Sequence, residues 1–190
     1  MSVVAGWVVA ICWVTFGIVW IVGAFTAKRA AEGQRGWRRW GYGIALIILL
    51  QFVTRRPTGL TIVTTILPVS VALLVSAALI TIIGLMIAVW ARVALGVYWS
   101  GNVVVKEEHV IIERGPYRVV RHPIYSGVLL MLLGTALWWR RSDGLVMCAV
   151  ALAGFIIKAH FEERLLSEHF PVEYGRYKAR VKRALIPWIL

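Results

Sequence analysis

Two uncharged stretches dominate this chain: 25 residues from Val3 to Ala27 and 35 from Pro57 to Ala91. At ~1.5 Å per residue the first makes a helix that crosses a hydrocarbon core of ~30 Å with some tilt. The second would reach ~52 Å as one helix, far more than a bilayer needs. A break near Pro68 is therefore expected. A short apolar connection, Gly59 to Leu67, would lead into a long helix from Val69 to about Leu95, with Pro68 in its first turn. Three shorter runs complete the pattern: Trp40–Thr54, Pro123–Trp139 and Gly144–Ile157. Arg39 and Arg55 can snorkel from the first of these, and Trp37 and Trp40 suit an interfacial belt. The helical pattern of the last run continues through "KAHFEERLLSEHF". "RRSD" turns the chain before it, while "VVVKEEHVIIERG" reads as extended or irregular. The expectation is an all-α, polytopic membrane protein with about five transmembrane helices, forming one domain over residues 1–190. Residues 1–95 would hold three N-terminal spans, and 96–190 a second half.

Charge sets the topology. Of 190 residues, 60% are hydrophobic and only 16% charged, where a soluble domain has about a quarter. The formal charge of +12 does not mark a nucleic-acid partner, because the basic residues are scattered between apolar runs and share no soluble face. If the loop after the first run, the 96–122 segment and the C-terminus share one side, that side holds 17 of the 21 lysines and arginines. The positive-inside rule then puts the N-terminus outside and the C-terminus in the cytoplasm. "MSVVAGW" lacks a positive leader region, so the first run reads as a retained span. Cys12 and Cys148 lie inside apolar runs without metal-type spacing and read as buried structural thiols.

On that topology two polar motifs converge on the cytoplasmic face. In "GPYRVVRHPIYSG", residues 115–127, Gly115–Pro116 turns the chain. Pro123 pushes His122 out of helical geometry and starts the next helix. Tyr125 follows on its first turn, Arg121 is a candidate site residue, and Arg114 and Arg118 serve topology and headgroups. In the last apolar helix Lys158 and Glu162 are four apart, hence on one face, with Glu163 one step round. Charges there are costly unless paired or facing a polar cavity. Lys158 and Glu162 either form an interfacial salt bridge, or Glu162 holds polar groups of a ligand while Lys158 faces an anionic one.

These two motifs, with "EERLLSEHFPVEYGRYKARV…IP" and "LGVYWSGNV", resemble the isoprenylcysteine carboxyl methyltransferase family, in a prokaryotic-type form, and the wider group of membrane phospholipid methyltransferases. The resemblance covers roughly residues 95–190. It implies an S-adenosylmethionine enzyme whose cofactor lies in a cytoplasmic pocket of the C-terminal half, in a prokaryotic inner membrane. By position, His109, Val110, Ile111 and Ile112 would line the cofactor, as would Tyr117, His122, Pro123 and Tyr125. Glu162 would hold it, and Asn102 falls where the family can use an amide. Lys158 stands where the eukaryotic enzymes carry an arginine that faces the substrate carboxylate, and lysine cannot make the bidentate fork. Phe170–Pro171 replaces a Phe–Gly pair, which should alter a turn more than the chemistry.

The resemblance implies methyl transfer to a lipophilic acceptor arriving from the bilayer, with membrane lipids as neighbours and no metal. A carboxylate acceptor needs no general base, and Lys158 or Arg121 would neutralise it. An amine headgroup would have to lose a proton first, with Glu163 or His122 as base. Two other classes compete: a nicotinamide-dependent membrane sterol reductase, and a non-enzymatic scaffold whose basic loops bind anionic lipids.

Overall fold

A computed structural model describes residues 1–26, 65–96 and 111–185. Five α-helices occur among them: α1 (Ser2–Thr26), α2 (Val71–Leu95), α3 (Pro123–Trp139), α4 (Ser142–His169) and α5 (Pro171–Arg180). A single 3-10 turn, Gly115–Arg118, precedes α3. α1, α2 and α4 are long and apolar enough to cross a membrane, and α3 is a shorter apolar helix. The all-α, polytopic membrane class expected from the uncharged runs is the one observed. The run Trp40–Thr54 lies outside the described residues, as do Asn102, His109 and Val110.

Small residues set the packing at the centre. Along α2 the buried positions Leu74, Ala77, Thr81, Gly84, Ala88 and Ala91 recur every three or four residues, which aligns them on one face. That face meets Gly127, Met131 and Gly134 of α3, antiparallel. A Cβ on Gly84 would lie 2.6 Å from the Gly127 carbonyl oxygen, and one on Gly134 would lie 2.6 Å from that of Ala77. In hydrocarbon, where the solvent is as apolar as leucine, such close backbone approach supplies the association that hydrophobicity cannot. Across this pair lies α1, through Ala5, Val9 and Cys12. Its Trp13 Nε1 donates to Thr135 Oγ1 at 3.0 Å, and Trp138 Nε1 reaches back to the Ser2 carbonyl at 3.2 Å. At the other end of α1, the buried Arg92 of α2 donates to the Gly23 carbonyl at 2.6 Å and to the Gly96 carbonyl at 2.9 Å. The C-terminal ends of α1 and α2 thus stand together, beside the start of α3.

Local expectations fared unevenly. α3 begins at Pro123, and α4 runs past its apolar portion to His169 as the pattern required. Pro68 is not in the first turn of α2. Ser70 caps that helix instead, its Oγ accepting from the Leu73 N–H at 3.1 Å, so α2 starts at Val71 rather than Val69. "RRSD" turns through Arg140 in the left-handed region, at φ 59°. Pro171 begins α5, and Phe170 is at once the last cap of α4 and the first of α5. Cys12 is buried, but Cys148 is only partly covered, because α4 packs on α3 with a narrow stripe and leaves Val146 and Val150 exposed.

Candidate active site

The polar groups gather where α3 begins and α4 ends. Gly115 adopts φ +62°, a conformation glycine reaches without a Cβ penalty, and a Cβ there would stand 3.1 Å from Trp90 Nε1. The turn it starts folds the chain back against α2, where the Tyr117 ring packs on Ala91 and Ala94. His122 is the N-cap of α3, with φ −125° and ψ 61°, and the fully buried Pro123 fixes the first helical position. Backbone hydrogen bonds secure this loop: Arg121 N–H donates to the Arg183 carbonyl and His122 N–H to that of Ala184, both at 2.9 Å. Ser126 Oγ donates to the Leu185 carbonyl. The segment after α5 therefore acts as a clasp on the His–Pro loop.

The clasp presses His122 against two carboxylates on α4. Its Nδ1 lies 3.4 Å from Glu162 Oε2 and its Nε2 3.2 Å from Glu163 Oε1. A neutral imidazole carries one N–H and can satisfy only one of these contacts, whereas imidazolium satisfies both. Burial by itself lowers the affinity of His122 for a proton, but the hydrogen bonds and charges of Glu162 and Glu163 outweigh it, and the pKa is raised above its ordinary value. Burial also pushes the Tyr117 phenol far above the usual range.

Glu163 is the hub. Arg121 Nε donates to its Oε1 at 2.7 Å and Lys178 Nζ, from α5, meets its Oε2 at 3.0 Å. Arg121 also donates through Nη1 to the Val181 carbonyl at 2.7 Å. Glu162 has a different setting. Tyr125 OH donates to its Oε1 at 2.6 Å, and Lys158 Nζ stands 4.0 Å from the same oxygen and 5.2 Å from the Tyr125 ring centroid. The Tyr125 ring is sandwiched between His122 and Phe155, nearly parallel to both, at 5.4 and 4.8 Å. So the two adjacent acids differ: Glu163 meets Arg121, His122 and Lys178, while Glu162, with 21% of its side chain exposed, meets Tyr125, His122 and a more distant Lys158 beside an aromatic layer.

Of the residues singled out in the sequence, Arg121, His122, Tyr125, Lys158, Glu162 and Glu163 come together here. Ile111 and Ile112 lie on opposite sides of their segment: Ile111 packs with Tyr174, Tyr177 and Val181, and Ile112 with Ala91, Ala94 and Tyr117. Tyr117 reaches α5 through its carbonyl, which accepts from Tyr177 OH at 2.8 Å. Arg114 is not merely a headgroup contact, since its Nε donates to the Ala94 carbonyl at 3.1 Å and ties the loop to the end of α2. Sequence reasoning missed Lys178 and the clasp. The signal was present: Tyr174, Tyr177, Lys178 and Val181 recur at helical spacing and mark one face of α5.

The family model described as phospholipid methyltransferase matches residues 71–173, more than half of the chain, from the start of α2 into α5. Protein-S-isoprenylcysteine O-methyltransferase B of Arabidopsis thaliana is 31% identical over 77 residues, 40% of this chain and 39% of that protein. A probable protein-S-isoprenylcysteine O-methyltransferase of Oryza sativa subsp. indica is 33% identical over 81 residues, 42% of each chain. The uncharacterized protein YpbQ of Bacillus subtilis is 26% identical over 83 residues, covering 42% of this chain and 48% of that one. The matched portion thus spans less than half the length of each of these relatives. By the extent of the family match, with the His–Pro loop and the paired glutamates of α4 inside it, this chain belongs to the phospholipid methyltransferase family.

Proposed function

We propose that this chain is a membrane methyltransferase that uses S-adenosylmethionine and methylates a lipophilic carboxylate, as in isoprenylcysteine O-methylation, with its site on the cytoplasmic side. The observation that carries the reading is the division of labour between Glu162 and Glu163 around His122 and Tyr125. The side chains present suit such a donor. A sulfonium and an amino group are cationic, and a partly exposed carboxylate beside a stacked His122–Tyr125–Phe155 layer attracts cations by charge and by ring quadrupole. When bound, the donor supplies an electrophilic methyl group that any aligned anion can take.

The chain's own residues have three tasks. Glu162 orients the donor, and Tyr125 and His122 hold Glu162 in turn. Lys158, at the rim of the aromatic layer, neutralises the acceptor's charge through a single contact, which leaves the carboxylate nucleophilic. The buried surroundings exclude water and so favour a step in which charge disappears. Alignment of the reacting atoms can contribute several kcal/mol on its own.

The state of the two candidate bases supports a carboxylate acceptor. An amine acceptor needs a base, and the two candidates are engaged. Glu163 Oε1 and Oε2 face Arg121, His122 and Lys178, and both His122 nitrogens face carboxylates. A carboxylate is already ionised and asks for no such group. Titration of detergent-purified protein with S-adenosylhomocysteine in a calorimeter tests the donor. Binding that is weakened at least ~10-fold by Glu162→Ala is expected, ~1.4 kcal/mol in binding free energy. No heat from a folded sample at high micromolar ligand would end the proposal. Mass spectrometry of methylated membrane extracts tests the acceptor: base-labile esters are expected, and stable N-methyl headgroups would replace the carboxylate reading with the amine one.

A further inference from the structure

Beside the Glu163 hub, between α4, α5 and the segment that follows α5, opens a cleft of about 400 Å³. Arg121, Arg164 and Lys178 line it as basic side chains against the one carboxylate in the lining, Glu163, with His160 beside them. Its other wall is apolar, formed by Ile156 and Leu185 among others. The basic lip retains capacity. Among the described residues Arg164 has only Glu168 as a partner, through Nε at 2.9 Å, and is 79% exposed. Lys178 is 49% exposed, and His160 uses Nδ1 on the Ile156 carbonyl at 2.9 Å, leaving Nε2 without a partner among the described residues.

The height of this cleft is set by α4. From Asp143 to Arg164 the helix rises ~32 Å at 1.5 Å per residue, close to the thickness of a hydrocarbon core. With Arg141 and Asp143 at one interface, Arg164 and its neighbours stand at headgroup level on the other. Next to the cleft, Ile157 and Phe161 are exposed and continue the lipid-facing stripe that starts at Leu145 and Val146. An apolar wall that opens onto acyl chains, below a net positive lip at headgroup height, is complementary to one class of molecule.

We propose that this cleft binds an anionic phospholipid of the site-side leaflet, its phosphate on Arg164, Lys178 and His160 and an acyl chain along Ile156 and Ile157. Lys178 belongs to α5 and Arg164 to α4, so the phosphate bridges the two helices beside the ion pairs that hold the clasp on His122. The lipid would thereby stabilise the loop that carries the His–Pro motif. The three proposed phosphate ligands, Arg164, Lys178 and His160, are not among the residues assigned above to donor or acceptor, so the inference does not rest on the methyltransferase reading.

Melting of the full chain in detergent, with phosphatidylglycerol or phosphatidylcholine of identical acyl chains, tests the proposal without donor or acceptor. Phosphatidylglycerol is expected to raise the midpoint by at least ~3 °C and phosphatidylcholine by less than ~1 °C. The double variant Arg164→Gln/His160→Gln should lose the phosphatidylglycerol shift and its lipid adducts in native mass spectrometry, while melting like the parent without lipid. Arg176→Gln/Lys182→Gln, which removes charge outside the cleft, should keep the shift. Equal shifts from both lipids would overturn the proposal. So would a shift retained by the cleft variant, or one lost equally by the two double variants. A full shift from millimolar inorganic phosphate would mean a free-anion site and would also overturn it.

Discussion

The contact between α2 and α3 and the contact between α3 and α4 are both tight, for opposite reasons. In the first, glycines bring backbones together: Gly84 faces Gly127, and Gly134 faces Ala77 and Thr81. Among the described residues nothing charged enters that seam, and Thr81 and Thr135 return their hydroxyls to their own helices, at 2.8 Å each. In the second, at the helix ends, side chains bridge the gap through ions: His122 and Arg121 on one side, Glu162 and Glu163 on the other. The glycine seam depends on shape and is insensitive to pH or partners. The ionic end depends on proton occupancy and on the clasp that holds it. A membrane protein can in this way keep a rigid scaffold in the hydrocarbon and a responsive site at its edge.

Breaking the seam should have the largest effect. In Gly127→Leu the new Cβ would lie 2.6 Å from the Gly84 carbonyl oxygen and 2.8 Å from the Ala88 nitrogen, both backbone atoms that cannot swing away. The helices must separate, at a cost of about 4 kcal/mol or more, since overpacking against backbone has no rotamer escape. Size-exclusion chromatography of detergent extracts should show loss of the monodisperse peak. A well-folded variant would mean that the seam is softer than the glycine contacts indicate.

Next in size is the hub. Glu163→Gln leaves the Arg121 guanidinium, 8% exposed, without its carboxylate, and removes partners from His122 and Lys178. Removing one partner of a buried ion pair costs about 3 kcal/mol, discounted here because Lys178 can turn to water. The expected outcome is a melting midpoint lowered by several degrees with the oligomeric profile unchanged, which separates this break from that of the seam. A midpoint equal to the parent's would show that the clasp holds His122 without the ions.

The apolar spans were easier to read than the contacts between them, and no glycine of the seam stood out in the sequence. Helices α3 and α4 follow from runs of uncharged residues, because a span must satisfy its backbone internally and exclude charge. His122–Pro123 and Lys158–Glu162–Glu163 were visible as well, since polar residues beside apolar runs carry a cost that asks for a reason. What could not be read is which acid each cation takes. Arg121 reaches Glu163 and not Glu162, and Lys178 arrives from 15 residues further on, through the turn at Phe170–Pro171. Both depend on the angle at which α5 folds back, and local spacing does not encode it. Similarly, Pro68 looked like the start of α2, while the short polar side chain of Ser70 decides it.

A reversible version of the hub's break comes from pH, and its effect should be the smallest, because it removes one proton and leaves every side chain in place. Around His122 stand Glu162 and Glu163 from α4, Arg121 from its own loop and Tyr125 from α3. Burial lowers the affinity of His122 for its proton, the two carboxylates raise it by more, and the folded-state pKa ends above 6.5. A folded pKa above the unfolded one means that the folded state binds the proton more tightly. The stabilisation is therefore fully present below pH 6.5 and fades as pH rises through the higher folded value. Melting midpoints taken upward from pH 6 should fall in the parent chain. In His122→Asn, which keeps a polar side chain but cannot titrate, that part of the slope should vanish. A parent midpoint that climbs across the same interval would mean that His122 is neutral between its acids, and that the ionic end responds to something other than this proton.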